Sequence, residues 1–409
     1  MTERLSAWPH ADQFPRFLRD LLTGAIAQLR PGRPDTMNAA SDDGIFGPGG
    51  LDIDSLERFT LAVAVAEALQ LSRIQQPERL QAMNRLSEWV AEARRCLPDG
   101  TSSVGFRTSG STGQAKFIAH EIGVLAQEIG SIGALFSDRT RIVSVVPAHH
   151  IYGFLFTVLL PMQLGIEAVD ARAYAPTAVL AGARAGDLIV AVPGWWRLLT
   201  DFSWPADVAG ASSGAPCPAA AAKALRRNGL RFVEVYGSTE TSGIGWRDHD
   251  DAPFELFPYW ERDGDQAIRK MAGGGARRYE LPDLVTWQDH AHLTLAGRRD
   301  GAVQVGGVNI YPEAVRAVLL AHPDVADATV RLMRPDEGDR LKAFVVAKNN
   351  AAPEADLHRA LEAWTAGRLA PMERPRAFTF GAALPANAMG KTADWTITGA
   401  AMGQSLFEE

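Results

Sequence analysis

The sequence predicts an α/β fold, and three observations carry that expectation. Between Val104 and about residue 290, short β-rich runs (RIVSVVP, DLIVAVP, LRFVEVYG) alternate with stretches of helical period. The first hundred residues instead repeat apolar side chains at intervals of three and four, and the chain beyond Gly297 mixes strands with one helix. At 409 residues and 44.1 kDa, the length suits two or three units of roughly 100 to 200 residues each. The division expected is a helical N-terminal segment over 1–100, a large domain of β-sheets flanked by helices over 101–296, and a small α+β domain over 297–409.

Taken in order, Phe14, Phe17, Leu18, Leu21, Leu22 and Leu29 mark a first amphipathic helix. Leu56, Phe59 and Val63 mark a second, and Leu80, Met83, Leu86 and Val90 a third. A Pro/Gly-rich stretch, RPGRPDTMNAASDDGIFGPGG, separates the first two, and CLPDGTSS reads as the exit linker. Each central β run ends in small, polar or Gly/Pro residues, and in open α/β sheets ligands gather at the carboxyl ends of strands. Past Gly297, GRRDG forms a turn, DATVRLM and LKAFVVAKN read as strands, residues 354–368 as a helix, and a tail ends in NAMGKTADW. There is no internal repeat.

Charge and cysteine content exclude several function classes. With 41 basic and 48 acidic residues the net charge is -7, so there is no broad electrostatic footprint for nucleic acid or an anionic membrane. Cys96 and Cys217 alone make neither a disulfide framework nor a zinc pattern. No stretch approaches the roughly 18 apolar residues of a membrane span, and MTERLSAWPHADQF lacks a basic leader. The expectation is a cytoplasmic protein without membrane insertion.

The strongest chemical signal is FRTSGSTGQAKF, Phe106 to Phe117. Thr108, Ser109, Ser111 and Thr112 surround Gly110 and Gly113, and Lys116 follows. Glycines let backbone N–H groups approach phosphate oxygens, hydroxyls add donors, and the lysine adds a point charge, so a polyphosphate suits the loop. The spacing differs from the P-loop pattern G-x-x-x-x-G-K-[ST]. A plain Gly/Ser turn is the competing reading.

On these residues and five further motifs, the chain resembles the adenylate-forming superfamily of acyl- and aryl-CoA synthetases, peptide-synthetase adenylation domains and firefly luciferase. PAHHIYGF (147–154) is similar to its aromatic/His motif, ASSGAPC (211–217) to its adenine-side loop, and VYGSTET (235–241) to its Mg-ATP motif. AGRRDGAVQVGGVNIYP resembles the hinge, and MGKT the terminal catalytic lysine. The resemblance spans about residues 104–395. It implies that a carboxylate attacks the α-phosphate of ATP to give acyl-AMP and pyrophosphate, after which a thiol takes the acyl group. Developing charge on the phosphates requires Mg²⁺, fixed donors and a cation.

The resemblance also implies roles for individual residues. Thr108, Ser109, Gly110, Ser111, Thr112, Gly113 and Lys116 would hold the β- and γ-phosphates, Thr239 would touch the α-phosphate, and Glu240 would help bind Mg²⁺. Tyr236 and the Ser213, Gly214 and Ala215 backbone would flank adenine, while Asp283 and Arg298 would serve the ribose. Lys391 would bridge the carboxylate and the α-phosphate. Asp300 would be the hinge about which a mobile C-terminal domain turns. His150 would lie beside the acyl carboxylate, with Tyr152, Phe154, Trp195 and Trp246 lining an aromatic slot for the acid; core packing is the alternative for the Trp195 and Trp196 pair.

Departures from the family pattern are Ala115 and Phe117 in the phosphate loop, Pro282 before Asp283, Gln304 beside the hinge, and Ala314 and Arg316 after the following proline. Only 107 residues precede Thr108, fewer than the family usually carries. The short form and QVGGVN are similar to compact ligases of aryl polyene and xanthomonadin-type pigment pathways. The implied substrate is a hydroxybenzoate- or hydroxycinnamate-like acid, and the acceptor an acyl carrier protein or CoA. A short- or medium-chain acyl-CoA ligase and an inactive nucleotide- or carrier-binding scaffold are the rivals. LDIDSLERF also resembles the attachment motif of carrier proteins, with Ser55 as the phosphopantetheine site; Asp54 or Ser55 as an ordinary helix N-cap is the competing reading.

Overall fold

Strand burial in the chain's centre divides alternately between two hydrophobic cores. Leu188 and Val190 of DLIVA enter one core and Ile189 and Ala191 the other, as expected where helices cover both faces of a parallel sheet. The computed structural model describes residues 5–30, 52–71, 79–80, 82–97, 103–107, 116–271, 273–306, 308–334, 336–348, 354–385 and 393–397. It forms two compact units, the first reaching Gly297 and the second beginning at Arg298.

The first unit opens with helices α1 (Phe14–Leu29), α2 (Ser55–Ala68) and α3 (Leu86–Cys96), a hairpin of β1 (Ser103–Arg107) and β2 (Phe117–Glu121), and α4 (Ile122–Leu135). Strands β3 (Arg141–Ser144), β4 (Glu167–Asp170), β5 (Asp187–Ala191), β6 (Ala209–Ser212), β7 (Arg231–Ser238), β8 (Ser242–Arg247), β9 (Phe254–Leu256), β13 (Asp283–Trp287) and β14 (His292–Arg298) make one sheet of nine, ordered β13-β14-β9-β8-β7-β6-β5-β3-β4. Pairing is parallel from β4 to β7 and antiparallel for β7–β8, β8–β9 and β9–β14. Between β9 and β13, β10 (Trp260–Asp263), β11 (Gln266–Lys270) and β12 (Ala276–Tyr279) form a separate antiparallel sheet.

Local signals account for the helix starts. Asp54 accepts from Glu57 N at 2.8 Å while Glu57 accepts from Asp54 N at 3.0 Å, a reciprocal cap. Ser55 is the exposed first residue of α2. The third periodic run begins at Leu80, yet α3 starts at Leu86, because Glu88 folds back onto the N–H groups of Asn84 and Arg85 at 2.8 and 2.9 Å.

The sequence sets residues 1–100 apart, whereas the helices in that range share the core of the large unit. Trp8 packs edge-on against Phe154 at 4.9 Å between centroids, and Phe17 and Phe106 meet the same ring at 5.3 and 5.4 Å. All four are buried there, because the exposed alternative would leave a large apolar face of α1 in water.

The second unit consists of a β15 (Val303–Val305) and β16 (Val308–Ile310) hairpin, a helix Pro312–Leu320, β17 (Val325–Leu332), β18 (Leu341–Ala347), a helix Glu354–Ala366 and β19 (Ala377–Phe380). β18 pairs antiparallel with β17 and parallel with β19. Within it the fully buried Lys342 faces Glu337 and Asp394 at 2.7 and 2.9 Å and donates to the Trp395 carbonyl at 2.7 Å, which holds residues 393–397 against β18. The ammonium is buried at little cost because its donors are met.

Phe17→Ala removes a ring shared between α1 and the body of the first unit and should destabilise the protein by about 3 to 5 kcal/mol. Urea denaturation monitored by tryptophan fluorescence reads this directly. A loss under about 1 kcal/mol would mean that the N-terminal helices fold apart from that core.

Candidate active site

The turn between β7 and β8 carries Thr239 and Glu240, and its shape comes from packing beneath it. Ser238 N donates to Thr241 Oγ1 and Thr241 N to Ser238 Oγ, each at 3.2 Å, so the two hydroxyl residues close the turn reciprocally. Ser242 has φ 62, a left-handed conformation unusual for serine. It is held there by Glu128 of α4, which accepts from the Ser242 hydroxyl and, at 2.9 Å, from Gly243 N. A Cβ on Gly243 would lie 2.3 Å from Glu128 Oε1, so only glycine admits the carboxylate.

Glu128 is completely buried, and burial pushes its pKa up while Arg269 and the two hydrogen bonds oppose that shift. Arg269, also fully buried, donates to the carbonyls of Val124 at 2.6 Å and Thr241 at 3.3 Å and stacks on Tyr259 at 4.4 Å from the ring centre. Thr239 is thereby left half-buried and Glu240 exposed at the tip.

A second tie joins this turn to the β1–β2 hairpin. His120, buried on β2, donates from Nε2 to the Thr239 carbonyl at 2.6 Å, which fixes its tautomer. Arg107 pairs with Phe117, so the sequence between them is the hairpin connection. Lys116, exposed, stands at its end. Thr108, Ser109, Gly110, Ser111, Thr112 and Gly113, and likewise Lys391, lie outside the described residues.

Two of the nucleotide candidates meet directly: the Tyr236 hydroxyl donates to Asp283 Oδ2 at 3.0 Å. Tyr236 is buried near the end of β7 and Asp283 begins β13, so strands far apart in sequence place a ring and a carboxylate together. Ser213, Gly214 and Ala215 follow β6 directly. Gly214 has φ 86, and no atom stands within 4 Å of a Cβ built there, an open loop in a conformation suited to glycine. In the second unit, Arg298 makes a two-pronged contact with Asp300 at 3.0 and 2.7 Å, and Tyr311 donates to the same carboxylate at 2.8 Å. These bonds hold the Asp300 carboxyl well below its usual range.

The aromatic/histidine motif leaves β3 at the same sheet end. His150 caps the helix Ile151–Phe154 and keeps solvent access, yet protein encloses most of its ring and lowers its pKa by desolvation. The His149 ring lies 4.2 Å from it, tilted by 38°, and burial lowers its pKa further. The expected aromatic slot divides. Phe154 is fully buried among Trp8, Phe17 and Phe106, so it belongs to the core and offers no wall to a ligand. Tyr152, half-buried, has its hydroxyl committed to the carbonyls of Ala191 at 3.2 Å and Ala211 at 2.7 Å, and Trp246 packs on the same core as Tyr152. Trp195 packs edge-on to the buried Trp196 in the core on the other side of the sheet. These four residues do not make one slot.

The residues that sequence reading missed are Glu128, Arg269 and His120. A signal existed for the first: Glu128 is the one charged residue in IGVLAQEIGSIGAL, and a lone carboxylate on an apolar helix implies a buried partner.

Comparison with known proteins agrees with this arrangement. Residues 58–258 match the model of the AMP-binding enzymes and residues 314–391 that of the AMP-binding enzyme C-terminal domain. Among relatives, a 4-coumarate–CoA ligase of Cereibacter sphaeroides is 37% identical over 87% of this chain and 86% of its own length. Another from Rhodobacter capsulatus is 37% identical over 92% of this chain and 100% of its own. The chain belongs to the AMP-binding enzyme family.

It is accordingly an AMP-forming acid–thiol ligase that uses ATP. The fold is shared with a double mutant of o-succinylbenzoate CoA synthetase from Bacillus subtilis (TM-score 0.57, 21% identity, 71% of this chain and 67% of that one). It is shared too with the amide bond synthetase McbA of Marinactinospora thermotolerans (TM-score 0.57, 19% identity, 92% of each). No helix among the described residues is long and apolar enough to cross a membrane.

The enzyme's buried histidines make its stability depend on pH. His120 has a folded pKa below its ordinary 6.5, chiefly from desolvation. The unfolded chain therefore binds the proton more readily, and the neutral ring's stability, full above pH 6.5, is lost as pH falls toward the folded value. His120→Gln keeps an N–H donor for Thr239 but cannot titrate. It should lessen the slope of unfolding free energy against pH below 6.5 by up to about 1.4 kcal/mol per pH unit. Denaturation midpoints across that range test it, and an unchanged slope would mean the ring is not held neutral.

Proposed function

We propose that this ligase adenylates a hydroxycinnamate-type aryl acid and transfers the acyl group to coenzyme A. The observation that carries the reading is the near full-length match to relatives named 4-coumarate–CoA ligase, including one of Halorhodospira halophila at 36% identity over 93% of this chain and 98% of its own.

The chain's own residues supply what the two steps need. A carboxylate oxygen of the acid attacks the α-phosphorus and pyrophosphate leaves; the thiol sulfur then attacks the acyl carbon and AMP leaves. Tyr236 and the Ser213 to Ala215 loop flank adenine, with Asp283 and Arg298 at the ribose. Asp283 accepts from the Tyr236 hydroxyl, which ties the ribose and adenine candidates together. Residues Thr108 to Gly113 with Lys116 hold the outer phosphates, and Thr239 the α-phosphate. The buried ties of Glu128 and His120 fix the Thr239 backbone in advance, so no reorganisation is needed as charge develops.

Glu240 would help hold Mg²⁺. Among the described residues no group of three or more His, Cys, Asp or Glu could take a metal, and one exposed carboxylate beside substrate phosphates suits this ion, which keeps several waters. His150, with its pKa lowered, is neutral near pH 7 and orients the acid by hydrogen bonding without a charge that would blunt the nucleophile. Lys391 bridges the acid and the α-phosphate, and rotation about Asp300 then exchanges it for the thiol.

The alternative acceptor, a carrier protein, has less behind it. Within this chain, the reciprocal cap of α2 accounts for Asp54 and Glu57 of the carrier-like motif without any modification of Ser55. Pyrophosphate release with hydroxylamine, run over hydroxycinnamates, hydroxybenzoates and fatty acids, tests the acid. Mass spectrometry of thioester products with CoA or a phosphopantetheinylated carrier tests the acceptor. Coumaroyl-CoA as the main product is expected; turnover of fatty acids alone would favour an acyl-CoA ligase, and none with ATP bound would favour a scaffold.

Lys391→Ala should cut acid-dependent pyrophosphate release by about 100-fold or more, the scale of losing one transition-state donor. ATP binding, followed by calorimetry, should stay within a few-fold, and retained turnover would remove the tail lysine from the chemistry.

A further inference from the structure

We infer that one face of α1 is a positioning surface for the acid-binding loop, with Gly24 setting where the His149 and His150 pair stands. The inference rests on the reading that His150 lies beside the acid carboxylate. It goes beyond that reading by assigning the task to the N-terminal helix, which carries no family motif.

Arg16, Asp20 and Gly24 follow at intervals of four, one row along a helix. Each meets the loop after β3 in turn. Arg16 donates to the Val146 carbonyl at 3.2 Å, Asp20 accepts from Ala148 N at 2.6 Å, and Gly24 lies against the His149 ring. The row and the loop run side by side, so the helix fixes both backbone and side chain of the segment that delivers His150.

The row is also anchored from behind. Asp20 is 1% exposed and accepts from Arg172 Nη2 at 2.6 Å. Arg172 in turn pairs with Asp170 at the end of β4, and Asp170 lies 3.7 Å from Arg16. Two guanidinium groups and two carboxylates thus alternate through three contacts, Arg16–Asp170–Arg172–Asp20, as an open and largely buried square whose charges balance. Burying four charged groups is costly unless each keeps its partner. The square therefore resists any shift of α1 relative to β4 and to the loop.

Gly24 is the point of least tolerance. A Cβ there would stand 2.7 Å from His149 Nε2 and 3.1 Å from Cε1, closer than side-chain atoms approach without a shift. The His149 ring lies 4.2 Å from that of His150, tilted by 38°, and its Nδ1 is buried without a partner among the described residues. A methyl group at position 24 therefore displaces His149 toward His150, and the disturbance reaches the acid. The ATP-side residues Tyr236, Asp283 and Thr239 touch none of this row and are left in place.

The test is a double-mutant cycle in the full-length enzyme, read as separate KM values for acid and ATP in acid-dependent pyrophosphate release. Gly24→Ala should raise the acid KM at least fivefold and leave the ATP KM within a factor of two. In the His149→Ala background, where the ring it would strike is absent, the same change should have no effect on the acid KM. Equal effects on both substrates, no effect of Gly24→Ala, or an effect that persists without the His149 ring would each overturn the inference. His150→Ala separates this from the underlying reading: an acid KM unmoved by that change would mean the loop does not bind the acid, whatever α1 does.

Discussion

The contact of the Glu128 carboxylate with the Ser242 hydroxyl and the Gly243 N–H is what the turn carrying Thr239 and Glu240 depends on. A fully buried carboxylate is tolerable only when its lone pairs are met and a countercharge is near. Here a hydroxyl, a backbone N–H and Arg269 provide this. In return the turn that presents Thr239 and Glu240 has its backbone decided by α4 beneath it and by β11, which brings Arg269. Glycine at 243 is the steric condition for that contact, and the left-handed Ser242 is its conformational cost. The His120 bond to Thr239 extends the same constraint to the hairpin flanking the phosphate loop, so two motifs over a hundred residues apart are held by one buried network.

The N-terminal helices have a comparable part at the loop after β3. The relatives from Halorhodospira halophila and Rhodobacter capsulatus match 93% and 92% of this chain. Trp8, Phe14 and Phe17 pack with Phe154 and Phe106 as edge-to-face aromatic pairs. Directly above that apolar packing, the alternating charges of Arg16, Asp170, Arg172 and Asp20 fix the register between α1 and the sheet. Apolar burial supplies the attraction between the elements, and the charge square selects one alignment among the many that apolar packing permits.

The second unit uses the same device on a smaller scale. Lys342 would be an expensive residue to bury near the start of the sheet's central strand, but Glu337, Asp394 and the Trp395 carbonyl surround its ammonium, and the Trp395 ring lies 4.9 Å away. The chain after the terminal lysine motif is thereby tied to β18. At the other end, the Asp300 carboxylate accepts from Arg298, Tyr311 and the Ala302 N–H.

Much of this protein was legible in its sequence. The alternation of β runs with helical stretches gave β3, β5 and β7 nearly residue for residue, since a buried parallel strand needs an uninterrupted apolar run and little else. The order of short motifs pointed to an AMP-binding enzyme, because backbone approach to phosphate demands glycine and hydroxyl residues at fixed spacing. Sequence alone also marked Tyr236 and Asp283 as candidates, and the structure brings them to 3.0 Å. What it could not decide was which aromatic side chains face a ligand and which face the core. Phe154 and Tyr152 differ by two positions in one short helix, yet one is buried among the rings of Trp8, Phe17 and Phe106 and the other hangs its hydroxyl on β5 and β6. Nor could it show that Asp20 serves Ala148 or that Glu128 serves Ser242. Those bonds join residues 128 and 114 positions apart, and such pairings depend on how helices dock on a sheet, a property of the whole fold that no local pattern records.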